Sequence, residues 1–144
     1  MKDSCVFCQI INGDLAGLVV FEDENSVAIL DHRPLFPGHT LLLPRSHYET
    51  LADLPQPQIG EFFGNVQLLA KAIEIALAAE GSFVALNNRV SQSVPHLHVH
   101  IVPRKKKDGL KGFFWPRSRY KSDGEMATVQ ELIQAAVREI ENQS

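Results

Sequence analysis

His96-Leu97-His98-Val99-His100-Ile101-Val102 is the stretch on which the reading of this chain turns. Extended backbone sends alternate side chains to opposite faces. His96, His98 and His100 therefore share one face, and Leu97, Val99 and Ile101 share the other. At a rise of about 3.3 Å per residue the three imidazoles fall within about 13 Å. Half of the chain's 6 histidines are used here. An ordinary half-buried strand carries Thr, Ser or charged residues on its wet face, so the row points to chemistry. Two kinds fit. The row is a metal cage, since His-x-His is a common ligand pair, or one histidine is a nucleophile that its neighbours orient. Imidazole suits phosphoryl chemistry because it is neutral and nucleophilic near pH 7.

Working outward, Pro95 to Val102 reads as a fifth strand ended by Pro103. Leu18–Phe21 and Val27–Leu30 read as a hairpin about the acidic turn Glu22-Asp23-Glu24-Asn25. Pro34, Pro37 and Gly38 mark a loop, and His39 to Leu43 reads as a third strand. Phe83 to Leu86 reads as a fourth. The segment from about Gln58 to Glu80 repeats apolar residues at helical spacing (Ile59, Phe62, Phe63, Val66, Leu69, Ala70, Ile73), with Gly81 as its stop. A short helix is expected after Cys8, ending near Asn12-Gly13-Asp14. A final amphipathic helix is expected from Thr128 to Glu141. The order predicts an α+β fold, an antiparallel sheet of about five strands with one long helix and a C-terminal helix.

The 144 residues suit one domain spanning 1–144. No apolar run nears the ~20 residues of a membrane span, and the opening has no apolar signal region. A cytoplasmic protein is expected, with no membrane partner. The net charge of −3 and the lack of a binding motif argue against nucleic acid. Eight Lys/Arg between Arg104 and Lys121 face one acid, Asp108; such a basic segment suits a phosphate-bearing substrate or a solvated loop. Cys5 and Cys8 open the chain before any strand, which favours metal over redox chemistry. Two sulfurs cannot close a tetrahedral zinc site, so further ligands must come from elsewhere.

The His-φ-His-φ-His-φ-φ pattern resembles the signature of the histidine-triad (HIT) superfamily. The opening Cys-Val-Phe-Cys-Gln-Ile-Ile-Asn-Gly-Asp resembles its Hint-like bacterial branch. Leu30-Asp31-His32-Arg33-Pro34, Pro37-Gly38-His39-Thr40, Pro44-Arg45-Ser46-His47 and Gln92-Ser93-Val94-Pro95 also match, from Ser4 to about Arg104. The resemblance implies a HIT-like fold and a nucleotide hydrolase or transferase. The α-phosphate of a nucleoside phosphoramidate or dinucleoside polyphosphate would be attacked by His98, giving a nucleotidyl-histidine. His100 would steady the phosphate, the His96 carbonyl would hold the His98 ring, and Ser93 would face the leaving group. Gln92 and Asn87 match phosphate-contacting positions. Asp31 matches the acid that receives the ribose hydroxyls, and Ile29 and Leu30 the wall for a purine base. His39 resembles the family's supporting histidine outside the triad. A structural zinc would be held by Cys5, Cys8, His47 and His96, with no catalytic cofactor, and the family's two-fold homodimer is carried over.

One departure is visible. The loop Asn87-Asn88-Arg89-Val90-Ser91-Gln92 is about two residues shorter than in relatives, and Ser91 stands where a glycine is usual. Serine dislikes backbone angles that glycine permits, so leaving-group preference is open. The stretch Phe113-Phe114-Trp115-Pro116-Arg117 could cover the site, reach across a dimer, or anchor the last helix. Two other readings stay open: a nucleotide-binding protein with little catalysis, and a metalloenzyme that uses the triad as its cage.

Overall fold

The computed structural model describes residues 4–110 and 117–143. The chain divides into two compact units, Met1–Asp108 and Gly109–Ser144. The first contains α1 (Val6–Asn12), β1 (Val19–Glu22), β2 (Ser26–Leu30), β3 (Thr40–Pro44), α2 (Gln56–Ala76), β4 (Gly81–Ala85) and β5 (Val99–Arg104). The strands form one antiparallel sheet in the order β1-β2-β3-β5-β4. The α+β architecture expected from the chain is the one observed.

Period-two alternation gives this sheet two different faces. On one, Ala28, Leu42, Leu97, Val99 and Ile101 meet the α2 stripe Phe62, Val66, Leu69 and Ile73. On the other, Val27, Ile29, Leu41 and Leu43 meet Cys5, Phe7 and Cys8 around α1. The triad histidines belong to the second face because Leu97, Val99 and Ile101 belong to the first.

Several boundaries differ from expectation, each for a local reason. α1 starts at Val6 rather than after Cys8, because Cys5 caps it: its Sγ accepts from the Cys8 N–H at 3.5 Å. Gly13 ends it with φ +83°, the left-handed cap. The triad strand begins at Val99, not Pro95. Before it, Leu97 N–H donates to the carbonyl of Tyr48 at 2.6 Å, outside the β3 ladder. Pro103 does not end β5. The Arg104 carbonyl faces β4, where it accepts from Glu80 N–H. Pro103 thus turns its missing N–H to the other side, where pairing with β3 has already stopped at Ile101.

The long helix ends before Gly81, which instead opens β4. Ala78 takes the left-handed position, φ 50°, and Ala79 N–H closes back on the carbonyl of Glu74 at 2.9 Å. This is a six-to-one closure of the kind glycine usually serves, made here by an alanine whose Cβ opposes it.

In the second unit, α2's counterpart at the carboxyl end, α3 (Asp123–Asn142), begins five residues earlier than expected. Ser122 is its cap: the Oγ accepts from Glu125 N–H at 3.0 Å. The Ser-x-x-Glu spacing was the unread signal. Within the first unit, Arg104 of the basic segment spends its charge on Asp108, Nε to Oδ2 at 2.6 Å. Residues 113–116 of the aromatic stretch lie outside the described residues.

The Ala78 closure makes a stability prediction. Ala78→Gly should raise the unfolding free energy by about 1 kcal/mol by relieving the left-handed strain. Urea unfolding with an unchanged m-value reads it, and a destabilised variant contradicts the account.

Candidate functional site

The site is built from hydrogen bonds whose backbone partner has only one possible role. A carbonyl can only accept and an amide N–H can only donate, so each fixes the state of the ring nitrogen it meets. His98 Nδ1 lies 2.7 Å from the carbonyl of His96 and must donate to it. In the neutral ring its Nε2 then carries the bare lone pair. Burial lowers the His98 pKa, opposed by that hydrogen bond and by Asp31. The ring is only 3 % exposed. A neutral, unprotonated nitrogen at ordinary pH is what a nucleophile requires.

The same logic runs along a second chain. Leu35 N–H donates to His39 Nδ1 at 3.0 Å, so His39 Nε2 carries the proton. That proton points at His100 Nδ1, 2.9 Å away. His100 Nε2 must then hold its own hydrogen and act as a donor. Burial pushes His100 down to about 4, helped by His98 and His39 and opposed by Asp31. His39 is lowered by burial too. The pair is therefore neutral and directional: one lone pair on His98, one N–H on His100, with ring centroids 5.0 Å apart.

Asp31 leaves β2 at the rim of the same pocket. Its Oδ1 accepts from Arg33 N–H at 2.9 Å, and Oδ2 lies 3.7 Å from His39 Nε2. The pocket measures about 930 Å³. Of the residues singled out from the sequence, Ile29, Leu30, Asp31, Ser93, His98 and His100 line it. Sequence reasoning missed its opposite wall, which α1 and the segment after it supply through Phe7, Ile10, Leu15 and Leu18. The pattern that places Phe7 there was on the page as the spacer between two cysteines.

Gln92 and Asn87 are elsewhere. The Gln92 side chain donates to the Glu49 carbonyl at 2.7 Å and accepts from Arg89 N–H at 2.8 Å. Asn87 donates to the Ser91 carbonyl at 3.3 Å. The short loop takes this shape by placing Arg89 and Ser91 at φ 67° and 61°. Serine does adopt the glycine-like angle, at a cost of roughly 1 kcal/mol.

Beside the pocket stands a second cluster. Cys5, Cys8, His47 and His96 bring one ligand atom each within 4.8 Å of one another. His96 Nε2 donates to the Pro44 carbonyl at 2.9 Å, leaving Nδ1 bare, and that nitrogen lies 3.6 and 3.5 Å from the two sulfurs. His47 Nδ1 is 3.3 Å from Cys8 Sγ. Tetrahedral zinc with ordinary bond lengths sets sulfur–nitrogen edges of about 3.5 Å. The set fits zinc in donor type, count and spacing, and the Pro44 carbonyl is the outer partner a ligating histidine usually has. Burial pushes His96 down to about 4, so the ring is neutral, as a ligand must be. Asp31, His39 and His100 also cluster, but Leu35 already fixes the proton on His39 Nε2, which turns that nitrogen from ligand into donor. The triad is no single cage either: the bare nitrogen of His96 turns to the cysteines, while His98 lines the pocket.

Comparison with known proteins places this arrangement in context. A model of the HIT domain matches residues 12–107. An Arabidopsis thaliana protein, adenylylsulfatase HINT3, is 37 % identical over 112 residues, covering 76 % of this chain and 57 % of its own length. This chain thus spans little more than half of that relative. The adenosine 5'-monophosphoramidase HNT1 of Candida albicans is 27 % identical over 97 % of this chain and 95 % of its own. The crystal structure of a Zn-bound histidine triad family protein from Mycobacterium smegmatis superposes with TM-score 0.72 at 33 % identity, covering 100 % of both chains.

Proposed function

The chain belongs to the HIT family, and from that footing we propose that it is a nucleotide hydrolase or transferase acting at an α-phosphate through a nucleotidyl-histidine on His98. One observation carries the reading: the hydrogen bond from His98 Nδ1 to the His96 carbonyl, which leaves Nε2 with its lone pair in a ring that lines the pocket. The lone pair attacks the α-phosphorus, a P–N bond forms, and the bond to the leaving group breaks. The leaving group departs with that electron pair and takes up a proton. Water or another acceptor then attacks the same phosphorus and returns the pair to His98.

The neighbouring groups fit the developing charge. His100 Nε2–H is a fixed donor for a phosphate oxygen, held by His39 and Leu35, and needs no reorganisation as charge builds. Ser93 lines the pocket, and in this reading its hydroxyl would meet the leaving group. Asp31 receives ribose hydroxyls, and Ile29 and Leu30 offer the base an apolar wall. Gln92 and Asn87 reach a phosphate only after leaving their present partners. Purine nucleoside phosphoramidates, dinucleoside polyphosphates and adenylates are the substrate class. The named activities of the Arabidopsis and Candida relatives point the same way. A binding protein with little catalysis would have no use for opposite tautomers on adjacent rings.

Cys5, Cys8, His47 and His96 would hold a structural zinc, which would tie the amino-terminal turn to the triad segment without entering the reaction. A two-fold dimer is part of the same reading.

Two outcomes are expected. His98→Asn should lower turnover by about three orders of magnitude or more while nucleotide affinity changes little, measured by steady-state kinetics and calorimetry. Near wild-type turnover in that variant overturns the nucleophile. Protein purified without chelator should carry about one zinc per chain, and Cys8→Ser should reduce both that ratio and the melting temperature. A folded, metal-free wild-type protein contradicts the zinc assignment.

A further inference from the structure

Phe7 sits between the two cysteines and touches both parts of the machinery. Its ring meets His98 edge-to-face, centroids 5.1 Å apart at 73°, and meets His96 at 5.9 Å and 84°. It is 7 % exposed and packs in the cluster that holds Cys5, Cys8, Ile29 and Leu41. The backbone on either side of it is fixed. Cys5 caps α1 through Cys8 N–H, and both sulfurs stand within 3.6 Å of His96 Nδ1. The cysteines thus fix where the Phe7 backbone lies, and burial in the cluster restricts its ring.

Among the described residues one hydrogen bond orients His98, at Nδ1. A single hydrogen bond leaves rotation about its own axis open. Two rings restrict that rotation: His100 packs against His98 from the same strand, centroids 5.0 Å apart, and Phe7 packs against it from α1. We propose that Phe7 is a positioning residue for His98, held in place on the turn between Cys5 and Cys8. Two links join the cluster to His98: Phe7, and the backbone of His96, whose side chain belongs to the cluster while its carbonyl holds the nucleophile. The inference rests on His98 being the nucleophile. It adds that α1 sets the angle of the attacking lone pair as well as the pocket wall.

The test is Phe7→Leu, with Phe7→Tyr as the variant that keeps the ring. An edge-to-face aromatic contact supports a change of up to roughly tenfold. With adenosine 5'-phosphoramidate as substrate, Phe7→Leu should lower kcat by about five- to tenfold, whatever rise in KM the altered pocket wall brings. Phe7→Tyr should restore most of the loss. The carbon-bound ring protons of His98 should shift in Phe7→Leu, because the neighbouring ring current is gone. Zinc content should stay at the wild-type ratio. Phe7→Met, similar in volume but without a ring, carries the same expectations if the leucine variant does not fold. An unchanged kcat with a raised KM makes Phe7 a pocket wall only and overturns the proposal. Unmoved His98 resonances overturn it as well, whichever residue proves to be the nucleophile. Failure of the nucleophile reading would show separately, as turnover retained in His98→Asn.

Discussion

The hydrogen bond between the Nδ1–H of His98 and the carbonyl of His96 is the contact on which the site depends. It decides which nitrogen of a buried imidazole keeps its lone pair. It exists because residue 96 lies just before the strand proper, where its carbonyl is not taken by a neighbouring strand. The first two triad residues precede Val99, and Leu97 is tied to Tyr48 rather than to β3. A full-length strand from residue 95 would have offered that carbonyl to a ladder. The irregular entry into β5 is thus part of the proposed chemistry.

Burial then does two opposite things with one physical effect. It strips water from His96, His98 and His100 and disfavours their charged forms. For His98 this keeps Nε2 unprotonated, as the proposed attack requires. For His96 it keeps Nδ1 bare for the proposed zinc, with the Pro44 carbonyl fixing its direction. For His100 it yields a neutral donor instead of a cation, and the direction of that donor comes from Leu35 through His39. Three chemically identical side chains acquire three different states from the groups they meet, a backbone carbonyl for two of them and the His39 ring for the third.

The sheet, both large helices and the face carrying the triad were legible in the chain because each has a strong period. Leu97, Val99 and Ile101 against the α2 stripe is a pattern of twos meeting a pattern of three and four. What was not legible is where one local force replaces another. Ala78 takes a left-handed angle normally reserved for glycine, so the helix stops short of Gly81. Ser122 starts α3 ahead of its apolar stripe. Gln92 looks like a phosphate donor in the sequence, yet its amide closes a tight loop against Glu49. Phe7 could not be read as a neighbour of His98, since nothing in sequence spacing says how α1 lies across the sheet.

The central claim is that a phosphorus atom becomes bonded to His98 Nε2 during turnover. Rapid quenching of the enzyme with a nucleoside phosphoramidate, followed by intact mass and peptide mapping, tests it most directly. The account predicts a nucleotidyl adduct on the peptide containing His98, formed and lost at rates compatible with kcat. Turnover with no adduct on that peptide, or with an adduct on another residue, would contradict it.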